Sequence, residues 1–231
     1  MSILELQLLT GDLEAQKAFY GSILGLPTLE SDAQHLRLQV GSSCLNFTLQ
    51  TGFLGRYHFA FDVPENQLEV AKKWLEARVE LITDTDGTLV FESESWNAHM
   101  VYFRDPQGNI LELIARHELK NATRDKFSSA SFLNISEIGL ACDNVPDVVQ
   151  WLKINLNFEL YKSSSDTFAP VGDAHGLLIL VLSAREWFPN SGVFATPQPV
   201  NLAVQGSQNQ TFEIPNLPYK IQTLKIDSRN S

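Results

Sequence analysis

The sequence is poor in cysteine, in positive charge and in long apolar runs. Its two cysteines, Cys44 and Cys142, lie far apart within apolar segments, so buried thiols are expected and neither a disulfide framework nor a cysteine-based metal site is predicted. Lys and Arg number 17 against 27 Asp and Glu, which gives a formal net charge of −10 without any basic cluster. Because binding to phosphate backbones requires a basic face, no nucleic acid partner is expected.

No stretch of the sequence approaches the roughly 18–20 apolar residues that are needed to cross a bilayer. The first residues carry acids in place of the basic region of a signal peptide. We therefore predict a cytoplasmic protein without membrane association. Hydrophobic residues make up 44% of the chain and charged residues 19%, which is enough apolar material for a folded core.

The order of predicted elements repeats along the chain. Alternating apolar and polar residues predict strands at 3–10, 35–40 and 44–50, and an apolar stripe after Asp12 predicts a helix that ends before Pro27. The same order begins again at residue 57 and runs to residue 115, with the helix at about 64–78. Residues 118–131 are polar and have neither period, which predicts a linker.

Beyond the linker the pattern starts a third time, and individual residues can be matched. Aligning the segments that begin at Ile135 and Ile3 places Glu137 under Glu5. A fourth unit begins near Val200 but has no recognisable helix, so we predict that it is truncated. The duplication predicts two tandem domains, 1–117 and 132–225, joined by the linker 118–131 and followed by a tail at 226–231.

Two motifs resemble the vicinal oxygen chelate superfamily, which includes glyoxalase I, extradiol dioxygenases and bleomycin-resistance proteins. They are FYGSILGL at 19–26 and YFRDPQGNILELI at 102–114, where Pro106 presets a tight turn and Gly108 tolerates a positive φ. The resemblance covers residues 1–116 well and 132–183 more weakly. It implies an α+β fold of paired βαβββ modules, whose curled mixed sheets surround a cavity.

In metal-dependent members of this superfamily, the ligands come from the first and last strands of the modules. Glu5 falls where glyoxalase I has a first-strand His, and Asn46 falls where it has a Glu, whereas His58 and Glu112 keep the family residues. The resemblance thus implies the metal ligands Glu5, His58 and Glu112, a set that suits Fe, Mn, Zn or Ni. The exchange at Glu5 is also compatible with a member that has lost its metal and has no cofactor.

Side chains two apart on a strand share a face, and several predicted strands have one polar face. Those faces line either a cavity or bulk water, and the family fold favours a cavity. Glu5 and Glu112 are the candidate catalytic residues, since a carboxylate that leaves the metal can act as a base. The candidate substrate-binding residues are Gln7, Arg37, Asn46 and Tyr102.

Structural roles stay open for the same residues. Glu112 could pair with Arg37 or Arg116, His58 could be a hydrogen-bonded core residue, and Glu5 could be solvated at a sheet edge. Two functions follow from the resemblance. One is a metal-dependent lyase, isomerase or ring-cleaving oxygenase acting on a small molecule with adjacent oxygens. The other is a metal-free protein of bleomycin-resistance type that binds a small molecule. A monomer or a homodimer is expected in either case.

Overall fold

The structure is a computed structural model that describes residues 1–225, and the tail predicted at 226–231 lies outside the described residues. It confirms the α+β class, with two curled mixed sheets and few helices. The strands are β1 (Ile3–Thr10), β2 (Thr28–Ser31), β3 (His35–Val40), β4 (Ser43–Leu49), β5 (His58–Asp62), β6 (Leu81–Ile82), β7 (Phe91–Ser93), β8 (Ala98–Arg104), β9 (Ile110–Arg116), β10 (Asn134–Cys142), β11 (Phe168–Asp173), β12 (Gly176–Leu182), β13 (Val200–Gly206), β14 (Gln210–Glu213) and β15 (Tyr219–Lys225).

The helices are short. α1 (Leu13–Lys17) runs into a π-helical segment, Ala18–Ile23, and is followed by α2 (Leu68–Glu76) and α3 (Val145–Leu156). Asp12 caps α1 by accepting a hydrogen bond from the Ala15 amide, as an N-cap residue does. In residues 1–225 no helix is long and apolar enough to cross a membrane.

Each sheet joins two modules through their first strands. The first sheet has the strand order β14-β15-β13-β1-β4-β3-β2, and the second has β11-β12-β10-β5-β9-β8-β6, with β7 beside β8. Within a module the first and last strands are parallel neighbours, as in β1 with β4 and β5 with β9. Between modules, the first strands pair antiparallel, β1 with β13 and β5 with β10. The fourth module, β13 to β15, contains no helix, as predicted.

The sheets cross the boundaries predicted for the two domains. Strands from residues 1–117 lie in both sheets, and each sheet is completed by strands from beyond residue 132. One hydrophobic core includes Phe47 of the first sheet together with Phe61 and Ile138 of the second. The domain limits themselves remain a prediction.

Alternation along the strands assigns the faces of the first sheet as expected. Leu6 and Leu8 of β1 are fully buried, whereas Glu5 and Gln7 are half-buried on the opposite face. In the second sheet every residue of β5 is buried, so both faces of this strand are covered. His58 on the polar face of β5 lines a cavity, so the cavity interpretation applies to this sheet.

The predicted linker packs against the second module. Its Phe127 is buried against Trp74 of α2, with ring centroids 5.5 Å apart.

The linker also forms hydrogen bonds with the residues just before α2. The Asn66 side chain donates to the Thr123 carbonyl, and the Asn121 side chain accepts a hydrogen bond from the Glu65 amide. These contacts hold residues 64–67 in a turn, which is why α2 begins at Leu68 and not at the predicted position near residue 64.

Candidate functional site

Three buried side chains of the second sheet converge on its inner face. His58 begins β5, Glu112 lies in the middle of β9, and Glu137 lies in β10. One ligand atom from each, an imidazole nitrogen or a carboxylate oxygen, lies within 4.8 Å of the others. Neighbouring strands bring them together, because Glu112 and Glu137 both pair in register with Ala60, two residues after His58.

Glu5 does not belong to this group, so the predicted convergence of Glu5 with His58 and Glu112 is wrong. Glu5 lies on β1 in the first sheet, where its side chain contacts Arg37 and Asn46. The reason is strand pairing, since β5 meets β10 of the third module and does not meet β1. The repeat that aligned Glu137 with Glu5 contained the signal that could have identified the third carboxylate.

His58 presents a free ring nitrogen to the group. Its Nδ1 lies 3.2 Å from the Ile110 carbonyl, which fixes the proton on Nδ1 and leaves Nε2 unprotonated. Nε2 lies 3.7 Å from Oε2 of Glu112. Burial lowers the pKa of His58 to about 4, so the imidazole is neutral near pH 7 and can act as a ligand. The hydrogen bond expected of a core histidine is thus present, and it leaves the ligand nitrogen available.

Glu112 is fully enclosed. Burial, followed by the charge of Glu137, raises the pKa of this carboxyl well above its ordinary value. Tyr102 lies directly opposite it on β8. Burial and the Glu112 charge raise the pKa of Tyr102 well above 10, so the phenol keeps its proton and can donate it as a hydrogen bond. Of the predicted substrate-binding residues, Tyr102 is the one that lies beside this group.

Arg116 supplies the nearby positive charge. Its Nε lies 3.3 Å from Asp62, and its Nη2 contacts a carboxylate oxygen of Glu137. Burial outweighs the attraction of Arg116 and raises the pKa of Glu137 to about 7. Three buried carboxylates thus share one guanidinium. If all three ionise, two negative charges remain, which one divalent cation or two protons would neutralise.

The donor set suits a divalent metal. With bonds of about 2.1 Å, two donors in one coordination sphere lie up to roughly 4.2 Å apart. The 3.7 Å separation of His58 from Glu112 falls within that limit, and the three ligand atoms together lie within 4.8 Å, which a small side-chain rotation would bring within it. One imidazole and two carboxylates match Fe, Mn, Zn or Ni better than a soft, sulfur-preferring ion. His58, Glu112 and Glu137 are therefore the residues that could hold a metal.

An aromatic cavity of about 430 Å³ lies over the three side chains. The segment that follows β12 covers it with Trp187, whose ring centroid lies 5.0 Å from that of His58, and with Phe188, which packs on Phe91. Trp187 is itself buried, and it packs against Gly139, where an added Cβ would lie 2.4 Å from its ring. Trp187 could not be identified from the sequence, because an aromatic residue in an irregular segment carries no positional signal.

The other predicted residues gather in the first sheet. Gln7, Arg37 and Asn46 lie on β1, β3 and β4, together with Glu5. Arg37 therefore pairs with Glu5 and not with Glu112. Arg116 forms its ion pairs with Asp62 and Glu137, so the alternative pairing with Glu112 is not formed either.

No protein-family model and no curated protein sequence matches the chain. Solved structures do match its fold over nearly its whole length. A candidate dioxygenase from Bacillus subtilis subsp. subtilis str. 168 has a TM-score of 0.62 at 15% identity, with 96% of this chain and 85% of that chain covered. Glyoxalase I from Zea mays has a TM-score of 0.57 at 14% identity, with 97% and 92% covered.

The chain has the vicinal oxygen chelate fold. In each sheet the strand register places four residues at equivalent positions on the same face, two on the first strands and two on the last strands of the paired modules. In the second sheet they hold His58, Glu112, Glu137 and Ile179. In the first sheet they hold Glu5, Asn46, Asn201 and Gln222. The second sheet therefore carries three ionisable groups and one apolar residue, and the first carries one carboxylate and three carboxamides.

Proposed function

We propose that this protein is a metal-dependent enzyme of lyase, isomerase or ring-cleaving oxygenase type, with the second sheet as its active site. The observation that carries the proposal is the buried group of His58, Glu112 and Glu137 beneath the aromatic cavity. A bound divalent ion would polarise substrate oxygens there and leave positions for two adjacent oxygens of a small molecule. Fe, Mn, Zn and Ni are the candidate ions.

The protein groups around the ligands would divide the remaining work. Arg116 favours the charged form of Glu137 and orients its carboxylate, as partners beyond the ligands do in metal sites. Tyr102 is positioned to donate a proton or a hydrogen bond to substrate beside Glu112. The buried Trp187 and the partly exposed Phe188 offer flat apolar contact, which favours a substrate with a planar or apolar body. Glu112 is the candidate base, and Glu5 has no part in this site.

A second function is favoured by two specific features, Arg116 and Ile179. Arg116 already contacts a Glu137 oxygen, and Ile179 places an apolar side chain at the fourth inward position. A cavity with protonated carboxyls could bind a small organic molecule without a metal, in the manner of bleomycin-resistance proteins. In both functions a small molecule is the partner, and a cytoplasmic monomer or homodimer remains our expectation.

Metal binding separates the two functions. We would purify the protein without chelators, determine its metal content, and titrate the metal-free form with Fe(II), Mn(II), Zn(II) and Ni(II) by calorimetry. The enzyme proposal expects one metal per chain, with affinity lowered at least about tenfold in Glu137→Gln and His58→Ala. Glu5→Gln is the matched control and should bind as the parent does. If none of the four ions binds, and only small organic molecules raise the melting temperature, the binding function is correct.

A further inference from the structure

Two imidazole rings meet at one end of the second sheet. His99 lies on β8 and His117 directly follows β9, and Nδ1 of His99 lies 2.8 Å from Nε2 of His117. Strand register explains the contact, because His99 pairs with Ala115 and residue 117 lies two positions further along the same face. The His117 amide also donates to the Asn97 carbonyl at 3.0 Å, which fixes the backbone beside the rings.

The two rings lie apart from the group around His58. Met100 and Tyr102, which alternate with His99 along β8, line the cavity over His58, whereas His99 and His117 do not. Side chains of odd and even positions on a strand point to opposite faces, so the imidazole pair lies on the face turned away from that cavity.

A carboxylate lies behind each ring. Nε2 of His99 is 4.0 Å from Glu92, and Nδ1 of His117 is 3.9 Å from Glu65. In both rings, the nitrogen nearer the carboxylate is the one that does not face the other ring. Neither carboxylate pairs with a Lys or Arg among residues 1–225. The four side chains therefore form a row of carboxylate, imidazole, imidazole and carboxylate.

This row leaves two lone pairs facing each other. A neutral imidazole carries one N–H, and a carboxylate only accepts, so each ring gains most when its N–H is on the side of its carboxylate. Nδ1 of His99 and Nε2 of His117 are then both acceptors. A proton on either of them restores a hydrogen bond between the rings, but it takes the N–H of that ring away from its carboxylate. A metal ion bound by both facing nitrogens satisfies all four side chains at once.

The separation of the rings suits such an ion. Two nitrogens bound at about 2.0–2.1 Å in a tetrahedral site lie roughly 3.3 Å apart, so a small rotation of the rings opens the 2.8 Å contact far enough. The side chains of His99 and His117 are 39% and 32% exposed, which gives the ion access and leaves its other positions to water. Carboxylates behind ligating histidines are the usual means by which such rings are oriented.

The ligand type selects the ion. Imidazole nitrogens suit Zn(II), Cu(II) and Ni(II), with Cu(II) bound most tightly, whereas Mn(II) prefers oxygen ligands. The pair supplies two protein ligands in an exposed position, against three enclosed ligands around His58. We therefore expect weaker binding at the pair than at the buried group.

We propose that His99 and His117 form a second metal site, for Zn(II), Cu(II) or Ni(II), with Glu92 and Glu65 orienting the two rings. The site goes beyond the function proposed above and does not depend on it. A bound ion would join the ends of β8 and β9. Because the Glu65 amide donates to Asn121 of the linker, the ion would also stabilise the packing of the linker on the second module.

Cu(II) is the first probe, titrated into the metal-free, full-length His58→Ala protein, which lacks the imidazole of the buried group. One equivalent should bind, and its electron paramagnetic resonance spectrum should show two coordinated nitrogens. Adding His99→Gln or His117→Gln should remove that spectrum and weaken binding more than about tenfold, since loss of a ligand costs more than loss of a partner behind it. An excess of Mn(II) should not displace the Cu(II).

Three further measurements test the assigned roles. Glu65→Gln combined with Glu92→Gln should weaken Zn(II) binding by about tenfold and keep the two-nitrogen Cu(II) spectrum, as expected of positioning residues. His35→Gln is the matched control, because His35 is exposed and lies 3.5 Å from Asp32 but contacts no other imidazole in the described chain. Zn(II) should raise the melting temperature of His58→Ala, and should not do so once His99→Gln is added.

Titration of the protein with the buried group intact separates this site from the metal centre proposed above. Zn(II) should bind there in two steps, and His99→Gln should remove only the weaker one. A single step that His99→Gln removes would support the imidazole pair and contradict the buried centre. The proposal is overturned by a single step that only His58→Ala removes, by a two-nitrogen spectrum that persists in both His99→Gln and His117→Gln, or by loss of that spectrum in His35→Gln.

Discussion

His58 Nε2 and Glu112 Oε2 face each other at 3.7 Å from neighbouring parallel strands. The imidazole proton is on the other nitrogen, so both facing atoms are hydrogen-bond acceptors. Two buried acceptors attract only when a proton or a cation lies between them. This relationship makes the state of the site depend on pH and on metal.

Metal affinity should increase with pH. The pKa of Glu137 is raised to about 7 and that of Glu112 is raised by burial, so an incoming ion must displace protons from carboxyls that are neutral in acid. If one proton is released, affinity should rise by about tenfold per pH unit below pH 7 and level off above it. Calorimetric titration with Zn(II) or Mn(II) from about pH 5.5 to about pH 8 measures the slope. An affinity independent of pH would contradict the raised pKa values, and Glu5→Gln should show the parental slope.

His58 should destabilise the metal-free protein in acid. Its folded pKa of about 4 lies below the ordinary histidine value of 6.5, so the unfolded chain takes up a proton first. The stability contribution is complete above the unfolded pKa and is lost as the pH falls from 6.5 toward 4. Relative to His58→Gln, the free energy of unfolding of the parent should fall by up to about 3 kcal/mol over this pH window, since one pKa unit corresponds to about 1.4 kcal/mol. Urea unfolding of both proteins at the two ends of the window checks this, and equal losses would refute it.

Asp105 should be the residue of the predicted turn that matters most for stability. Its buried carboxylate accepts hydrogen bonds from Gln16 at 2.9 Å, from Tyr20 at 2.8 Å, and from both the side chain and the amide of Asn109. Asp105→Asn replaces one acceptor oxygen by a donor, and should lower the free energy of unfolding by about 2–4 kcal/mol. Asp86→Asn, at an exposed position, should change it by less than about 0.5 kcal/mol. Chemical denaturation measures both. An unchanged free energy of unfolding in Asp105→Asn would show that these hydrogen bonds are dispensable for stability.

Gly139 should control the position of Trp187. A Cβ at Gly139 would lie 2.4 Å from the Trp187 ring, so Gly139→Ala must displace the indole that covers His58. We expect altered tryptophan fluorescence, weaker small-molecule binding and a loss of about 1–3 kcal/mol from overpacking. Gly21→Ala is the control, because the nearest atom to its Cβ is 3.4 Å away. Unchanged fluorescence and binding in Gly139→Ala would mean that the indole does not define the cavity.

Elements with a strong local signal could be predicted from the sequence. The apolar alternation of β1, β3 and β4 places their faces correctly, and the turn at 105–109 forms with Gly108 at φ +82°. β2 was missed because all four of its residues are exposed at a sheet edge, where no apolar alternation is required. The late start of α2 was not predicted, because contacts from the distant linker determine where this helix begins.

The candidate site could be predicted only in part. His58 and Glu112 belong to one module, and their relative placement follows from the pairing of its first and last strands. Glu137 lies 25 residues beyond Glu112 in another module, and nothing local in the sequence indicates which first strand will pair with β5. Glu5 and Glu137 have the same local pattern, so pattern alone could not choose between them.

The sequence by itself determined which side chains share a strand face, where the chain turns, and that the modules repeat, because these properties depend on residues a few positions apart. Only the tertiary structure decided that β5 joins β10 while β1 joins β13, which gives His58 the carboxylate of Glu137 and leaves Glu5 among carboxamides. Pairing between distant strands depends on which edges remain free after each module has formed and on the packing of the whole core. That choice is made between segments far apart in the chain, and no local pattern records it.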